Sequence, residues 1–375
     1  MNVFQFLRLS LTCILIALIS LLVPTPVHAV QSFEETVNRD LPIKKSLPLY
    51  LQHRLGNVSI EGWVQDRIRV TIKKRVLADT EAIAKTEFKK LDLISLETSS
   101  TFELRVGHTQ GTDLVSKMRD ESDSQVQVDI EIKAPYRSDL TVVLGDGRTL
   151  KLSEWRGGVK VTGKNNSLQL SKLQLTHPIF VNCLECAIEV KECKLEGHFL
   201  IGSKSVVLNN VDAKNGLTID AGNEEIRVES SRGKLNIHSR SGRLTVTKFD
   251  GTLRFQSTEG GAYINQFTGE LSVQTQTGQV MVDADANVQS LDLDTDKSDI
   301  QIALQPGFSG GLDLMSLRGE IVVQFPYEVN KSAIETYGPT SPGKVEGTIG
   351  SDSKIRVHAY SKQGGVRILR KAISK

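Results

Sequence analysis

Glycine at every ninth position is the feature of this sequence that most limits its fold. Six glycines recur at this interval without a slip: Gly233, Gly242, Gly251, Gly260, Gly269 and Gly278. Two residues after each comes an apolar residue or alanine, and two residues later another apolar one, which is the alternation of a short half-buried strand. Glycine also tolerates the positive φ that a corner before such a strand needs. The spacing predicts short strands separated by tight corners, with positive φ at several of these glycines.

The nine-residue units alternate in kind, so the full repeat is eighteen residues long. Every second unit carries a further large apolar residue five positions after its first, as Phe249 follows Leu244 and Phe267 follows Ala262. Traced backwards in steps of 18 or 20, the same position is held by Trp155, Leu173, Cys193, Val211 and Ser231. We call this series the interior file and expect its side chains to face the core.

Such a repeat cannot bury its apolar side alone, but stacked copies pair each strand with its equivalent in the next turn at a spacing of about 4.8 Å. The chain is therefore predicted to be an all-β protein, a parallel β-solenoid (β-helix) of about 18-residue turns. An antiparallel sandwich also has closely spaced short strands, and it is the second choice because it needs no strict identity of position.

Three regions are predicted after residues 1–29. Residues 30–139 are expected to form an N-terminal cap of strands with one short helix, which Asp79 and Thr80 can cap and which ends near Leu91. Residues 140–325 are the solenoid repeats. Residues 326–375 are a proline-containing loop followed by closing turns, because a solenoid must protect its terminal strands from edge pairing.

Residues 1–29 have the pattern of a secretory signal peptide. Arg8 precedes an apolar run from Leu9 to Val23, and Val27-His28-Ala29 provides small residues for cleavage. The run is short for a membrane span, so an uncleaved anchor is the less favoured alternative. We expect an exported protein that is periplasmic, displayed on the cell surface or secreted, with no membrane span after cleavage.

Three cysteines remain after the signal peptide, which is an odd number for an oxidising compartment. They are Cys183, Cys186 and Cys193. The favoured interpretation is structural, since Cys193 falls in the interior file and a free cysteine packs as a small hydrophobe. A Cys183–Cys186 disulfide and half of a zinc site are the alternatives, although no histidine lies at a recognised zinc spacing.

The composition argues against several function classes. Forty-six basic residues nearly balance 44 acidic ones, for a net charge of +2, so the chain lacks the strong positive charge of a nucleic-acid binder. Gly307 to Gly311 spells Gly-x-Ser-x-Gly, but a strand pattern follows where a nucleophile elbow requires a helix. The sequence therefore predicts no catalytic residue, no cofactor and no metal site, and the protein is expected not to be an enzyme.

Asp292 and Asp294 belong to the densest acidic group and alternate with Leu291 and Leu293. Their carboxylates are therefore expected to point outward from one strand. A solvated acidic face is the favoured interpretation. The alternatives are a calcium site and an acid/base pair like that of β-helical enzymes that cleave polysaccharides.

Phe180 and Leu200 form a second candidate site. The alternation predicts that both face outward and lie side by side, one turn apart. Adjacent exposed apolar side chains need a cover. The N-terminal helix or the polar loop from His108 to Gln125 is expected to supply it as a lid, and the alternative is a docking site for a partner or for self-association.

Several segments resemble the bacterial "putative adhesin" β-strand-repeat family of unknown function over roughly residues 47–370. They are Gly56 to Trp63, the repeated Gly-x-apolar-x-apolar units, Ile132 to Pro135 before the repeats, and Phe308 to Leu314 after them. The resemblance implies an exported, non-catalytic β-solenoid. It offers no catalytic residue to assign to this chain.

Repetition favours a binding surface over a catalytic site, because ladders of identical positions suit extended partners. We therefore expect an exported, adhesin-like scaffold that presents an extended surface to another envelope or surface macromolecule, either protein or glycan. The competing hypothesis is a polysaccharide-cleaving enzyme on the same solenoid, with Asp292 or Asp294 as acid or base.

Overall fold

A computed structural model describes residues 30–43, 47–108, 126–202, 204–325, 328–329, 343–350 and 354–371. The predicted signal peptide, nearly all of the predicted polar loop and most of residues 326–344 lie outside these ranges. The regular structure of the described residues is β-strand apart from one helix, so the predicted all-β class is confirmed. None of the described residues forms a helix long and apolar enough to cross a membrane.

The N-terminal region contains strands on either side of the helix. In chain order its elements are β1 Gln31–Pro42, β2 Leu49–His53, β3 Val58–Trp63, β4 Arg67–Ala78, α1 Glu81–Lys90, β5 Leu91–Glu97, β6 Phe102–His108 and β7 Val126–Pro135. The helix begins where predicted, because the Thr80 hydroxyl accepts a hydrogen bond from the Ile83 amide at 3.3 Å.

The central region is the repeated part of the chain. Its strands are β8 Leu140–Leu144, β9 Thr149–Ser153, β10 Val159–Lys164, β11 Ser167–Ser171, β12 Ile179–Leu184, β13 Ala187–Lys194, β14 Gly197–Ile201, β15 Val206–Ala221, β16 Ile226–Ser239, β17 Leu244–Ser257, β18 Ala262–Thr275, β19 Val280–Thr295 and β20 Ile300–Leu304. The C-terminal strands are β21 Gly310–Ser316, β22 Ile321–Val323, β23 Glu328–Val329, β24 Gly343–Ile349, β25 Arg356–Ser361 and β26 Val366–Arg370.

Successive turns pair in parallel and build two sheets around one core. The first sheet contains β8, β10, β12, β14 and the later halves of β15 to β19. The second contains β9, β11, β13 and the earlier halves of the same long strands. In the pairing of β17 with β18, Leu244 lies opposite Ala262 and Leu253 opposite Leu271. The fold is therefore solenoid-like, and its long strands cross the corner between the sheets.

The interior file is buried along the corner that joins the two sheets. Its exposed fractions are all below a twentieth, at Trp155, Leu173, Cys193, Val211, Ser231, Phe249 and Phe267. The rings of Phe249 and Phe267 stack with centroids 6.0 Å apart. The inward direction predicted for this series is confirmed.

Glycine is required at the corners for two separate reasons. Gly233, Gly251 and Gly269 have φ values of 113°, 135° and 107°, which confirms positive φ at several corner glycines. They also lie directly on one another: a Cβ on Gly251 would come within 2.1 Å of the Gly233 carbonyl oxygen. The intervening glycines, such as Gly260, lack the positive φ but have the same close approach to the backbone of the preceding turn.

A second column of left-handed residues is not glycine. It comprises the residue before each position of the interior file: Glu154, Lys172, Glu192, Asn210, Ser230, Lys248 and Gln266, with φ between 46° and 60°. Residue type gives little warning of this conformation, since only asparagine among them favours it. The bend that it makes lets the next side chain turn inward.

Serine and threonine hydroxyls stabilise the other end of several turns from Ser239 onward. The Ser257 hydroxyl donates to the Arg240 carbonyl of the preceding turn and accepts from the Gly260 amide of its own turn. The same spacing recurs at Ser239, Thr275, Ser316 and Ser361. A hydroxyl three residues before a glycine is a sequence signal for this turn, and the analysis of apolar residues alone overlooks it.

Both ends of the solenoid contain a turn that is out of chain order. The β2–β3 turn lies between β6–β7 and β8–β9. At the other end the β25–β26 turn lies between β19–β20 and β21–β22. The last strands of the described chain are therefore internal to the stack, and β21–β22 forms its C-terminal turn.

Antiparallel strands cover the terminal turns. At one end β4 pairs with β7 and with β1, and β5 pairs with β6. At the other end β24 pairs with β21 and with β23. These strands give the terminal parallel strands a hydrogen-bonding partner, as expected of a solenoid that avoids edge-to-edge association.

The favoured interpretation of the three cysteines is wrong for two of them. Cys183 and Cys186 form a disulfide, with their Cα atoms 5.6 Å apart. Their side chains point to the same interior corner, which spacing alone could not show. Cys193 is free and buried in the interior file, as predicted, and burial raises the pKa of its thiol to about 11.

Alanine substitutions can separate the two requirements for glycine. Gly216 has a φ of 110°, and a Cβ at this position would have no neighbour among the described residues within 4 Å. Gly216→Ala should therefore lower the free energy of unfolding by about 1–2 kcal/mol through φ alone. Gly251→Ala adds a backbone clash and should cost about 1–3 kcal/mol more. Urea unfolding measures both variants, and equal losses would refute the close stacking of corners.

His53 makes the stability of the N-terminal turns depend on pH. Its ring is fully buried, and Nε2 lies 2.6 Å from the Val128 carbonyl oxygen. Burial lowers the pKa of His53 from 6.5 to about 4, so between these values the unfolded chain binds the proton and the folded chain does not. This stabilising contribution is complete above about pH 6.5 and is lost as the pH falls toward 4.

We expect the His53 contribution to the free energy of unfolding to fall by about 2 kcal/mol between pH 7 and pH 5. His53→Gln keeps an N–H donor but does not titrate in this range. Urea unfolding at both pH values should therefore show a smaller pH dependence for His53→Gln than for the parent. The same slope in both proteins would mean that another group causes it.

Candidate functional site

The outward side of the first sheet presents two columns of side chains, one residue from each turn per column. Column A contains Lys160, Phe180, His198, Thr218, Asn236, Arg254, Ser272, Asp292, His358 and Asp313. Column B contains Thr162, Asn182, Leu200, Asp220, His238, Gln256, Gln274, Asp294 and Tyr360. The parallel register makes the consecutive members of each column neighbours on adjacent strands.

A polar groove of about 560 Å³ runs along column B. Its lining consists of column B side chains and of the hydroxyl, amide and carboxylate groups that follow them: His238, Ser239, Gln256, Ser257, Thr258, Gln274, Thr275, Gln276, Asp294, Thr295, Asp296 and Tyr360. The Gln256 amide donates to the Gln274 carbonyl oxygen at 3.1 Å. The groove therefore offers rows of hydrogen-bonding groups across several turns.

Asp292 and Asp294 lie where columns A and B approach the C-terminal end of the solenoid. Leu291 and Leu293, which alternate with them along the strand, are buried, so both carboxylates face outward from β19. Asp292 is exposed and Asp294 is half-buried. Burial first, and then the negative charge of Asp292, raise the pKa of Asp294.

His358 joins this pair from a distant part of the sequence. It lies opposite Asp292 in the pairing of β19 with β25. Its Nε2 is 3.7 Å from an Asp294 oxygen, and its Nδ1 is 3.1 Å from an Asp313 oxygen. One ligand atom from each of Asp292, Asp294 and His358 lies within 4.8 Å of the others. In the sequence His358 is one of several scattered histidines, and nothing local shows that β25 lies beside β19.

Asp313 anchors the other side of the imidazole. The Arg356 guanidinium donates to the same Asp313 oxygen at 3.1 Å. Burial alone would raise the pKa of Asp313, but hydrogen bonds from Arg356 and His358 outweigh it and lower the pKa. Asp313 therefore remains a carboxylate acceptor for the imidazole at neutral pH.

Two further aspartates of the same acidic group, Asp283 and Asp299, have partners outside the cluster. Asp283 pairs with Lys371 at 2.8 Å. Asp299 accepts a hydrogen bond from the Gly365 amide at 2.7 Å and so helps to hold the β26 turn. These contacts give both residues structural partners, and only Asp292 and Asp294 contribute to the cluster with His358.

Phe180 and Leu200 face outward as predicted, but the prediction that they are direct neighbours is wrong. Phe180 pairs with His198, and Leu200 pairs with Asn182, so the two apolar side chains lie diagonally. The turn between β12 and β14 is the shorter form of the repeat, and it shifts their register by two residues. Leu184 extends the same surface, and the exposed fractions of Phe180, Leu184 and Leu200 are 53%, 50% and 42%.

Helix α1 packs elsewhere than on this surface. Its buried side chains, Ala84 and Phe88, contact Val76 and Ala78 in the N-terminal cap. The other predicted cover falls almost wholly on residues 109–125, outside the described ranges. We call Phe180, Leu184 and Leu200 the apolar patch.

Comparisons with known proteins identify one family. A family model described as Toastrack DUF4097 matches residues 70–354. No curated protein matches the chain.

Three solved structures align over most of their lengths. A "putative cell adhesion protein" from Clostridium sporogenes is 10% identical, with 90% of this chain and 100% of that chain covered and a TM-score of 0.22. A "Putative lipid binding protein" from Parabacteroides distasonis is 11% identical, with coverages of 89% and 96% and a TM-score of 0.31. A "putative adhesin" from the same organism is 8% identical, with coverages of 89% and 97% and a TM-score of 0.27. TM-scores this low support no inference about function.

Proposed function

The chain belongs to the Toastrack DUF4097 family, which confirms the resemblance of its repeats, and we propose that it is an exported, non-enzymatic scaffold that binds an extended macromolecule along the groove of column B. The observation that carries this proposal is the continuity of the groove across adjacent turns. Repeated hydrogen-bonding groups match a partner that is itself a repeating chain.

The chemistry of the groove favours a polysaccharide as the partner. Its central positions are glutamines and hydroxyl-bearing residues rather than charged ones, and such groups donate to and accept from sugar hydroxyls. A protein strand would instead use a free sheet edge or side-chain pockets. Tyr360, at the acidic end of the groove, supplies an aromatic ring for contact with a sugar face.

Export is supported by the sequence and by the disulfide. The first 29 residues have the signal-peptide pattern, and Cys183–Cys186 is a bond that persists in oxidising compartments.

A binding assay on a polysaccharide panel tests the proposed function. The double substitution Gln256→Ala and Gln274→Ala removes the central amides and should weaken binding at least tenfold. Thr247→Ala with Asn265→Ala is the matched control, because these paired outward residues lie in the same turns on the second sheet. Both variants should unfold within about 0.5 kcal/mol of the parent.

The same panel separates binding from catalysis. Retention of a polysaccharide without new reducing ends supports the scaffold. Cleavage that disappears in Asp292→Asn or Asp294→Asn would establish the enzyme hypothesis instead. Equal binding by the glutamine variant and its control would show that the groove is not the binding site.

The apolar patch is proposed to be covered, either by the chain's own segment 109–125 or by a partner. Phe180→Ser with Leu200→Ser distinguishes the two. A lower melting temperature at unchanged oligomeric state indicates a lid, and unchanged melting with lost self-association indicates docking. If differential scanning calorimetry and light scattering both match the parent, the patch has neither role.

A further inference from the structure

We propose that Asp292, Asp294 and His358 bind one divalent cation of the zinc class. The site shares Asp294 with the groove, but the proposal does not depend on polysaccharide binding. It lies on the outward side of the first sheet, where the chain-ordered turns meet the inserted β25–β26 turn. The sequence alone predicted no metal site, so this inference rests on the pairing of distant strands.

The three ligand atoms are already close enough to converge on one ion. They lie within 4.8 Å of one another, and the Asp294–His358 pair is 3.7 Å apart. Zinc bonds to histidine nitrogen and carboxylate oxygen are about 2.0–2.2 Å long, which places ligands of one tetrahedral ion about 3.3 Å apart. Rotation of exposed carboxylate side chains can supply the remaining movement without a change in the backbone.

The surroundings of His358 prepare Nε2 to act as a ligand. Nδ1 lies 3.1 Å from Asp313, so in the neutral tautomer it donates its proton there and leaves the Nε2 lone pair facing Asp294. A carboxylate that orients a histidine in this way is the usual outer partner of a metal ligand. Arg356 holds Asp313 in turn.

The electrostatics of the cluster also favour a cation. Two carboxylates occupy alternate positions of one strand, and Asp294 is half-buried. A divalent ion between them would offset the repulsion between the two negative charges. One imidazole with two carboxylates suits zinc and its neighbours in the transition series better than calcium, which takes six to eight oxygen ligands.

The site would remain open on its solvent side. Three protein ligands leave a position of a tetrahedral ion for water or for an oxygen of another molecule. Asp294 also lines the groove, so a bound ion would lie beside the end of column B.

Titration of the metal-free full-length protein with zinc chloride, without polysaccharide, tests the site. Calorimetry should show one ion per chain, and cobalt(II) should bind in its place with visible absorption of low-coordinate geometry. Asp294→Asn and His358→Gln should each weaken binding at least tenfold. Asp313→Asn removes only the orienting carboxylate, so it should weaken binding tenfold to a hundredfold with unchanged stoichiometry.

His198 provides the matched control. It pairs with Asp220 at 2.6 Å on the same face, as a histidine–carboxylate pair outside the cluster, so His198→Gln should bind zinc like the parent. Unfolding measurements confirm that each variant is folded. Absence of stoichiometric zinc binding would overturn the site and leave Asp294, His358 and Asp313 as an ion-pair network. Zinc binding insensitive to His358→Gln, or binding of calcium but not zinc, would overturn it equally. Because no polysaccharide is present, these outcomes are separate from failure of the proposed function.

Discussion

Parallel pairing between equivalent positions of successive turns is the interaction on which the rest of the structure depends. It requires the backbones to meet closely at each corner, where the Gly233 carbonyl occupies the place that a Gly251 side chain would need. It also aligns the serine and threonine hydroxyls, so that each one bonds both its own turn and the preceding one. Side-chain packing, as in the Phe249–Phe267 stack, follows from this register.

The same register turns a repeated sequence into a continuous outward surface. Outward residues that are remote in the chain become neighbours, and the Gln256–Gln274 hydrogen bond shows this in the groove. The surface is not uniform, because column B passes from an apolar residue at Leu200 through amides to the carboxylate of Asp294. A polymer along the groove would therefore meet a different environment at each end.

The ends of the solenoid contain strand pairings of a kind that the repeats lack. Each end holds one turn that is inserted out of chain order, and β25 brings His358 beside Asp292 through such an insertion. A terminal turn formed from distant segments places residues from well-separated parts of the chain side by side. Successive repeats bring together only residues that are one turn apart. Its pairings have large sequence separation, so closing them costs more chain entropy than closing a repeat.

The sequence by itself determined the all-β class, the inward direction of the interior file, the helix cap at Thr80 and the need for glycine at the corners. These properties depend on the local alternation of apolar and polar residues and on backbone sterics. Both can be inferred from short segments of the sequence. Only the tertiary structure decided the Cys183–Cys186 pairing, the diagonal placement of Phe180 and Leu200, and the meeting of Asp292 with His358. The physical reason is that each of these depends on which turns are neighbours and on whether a turn is the short or the long form. That choice is set by the hydrogen-bonded register of whole strands, and no single segment encodes it.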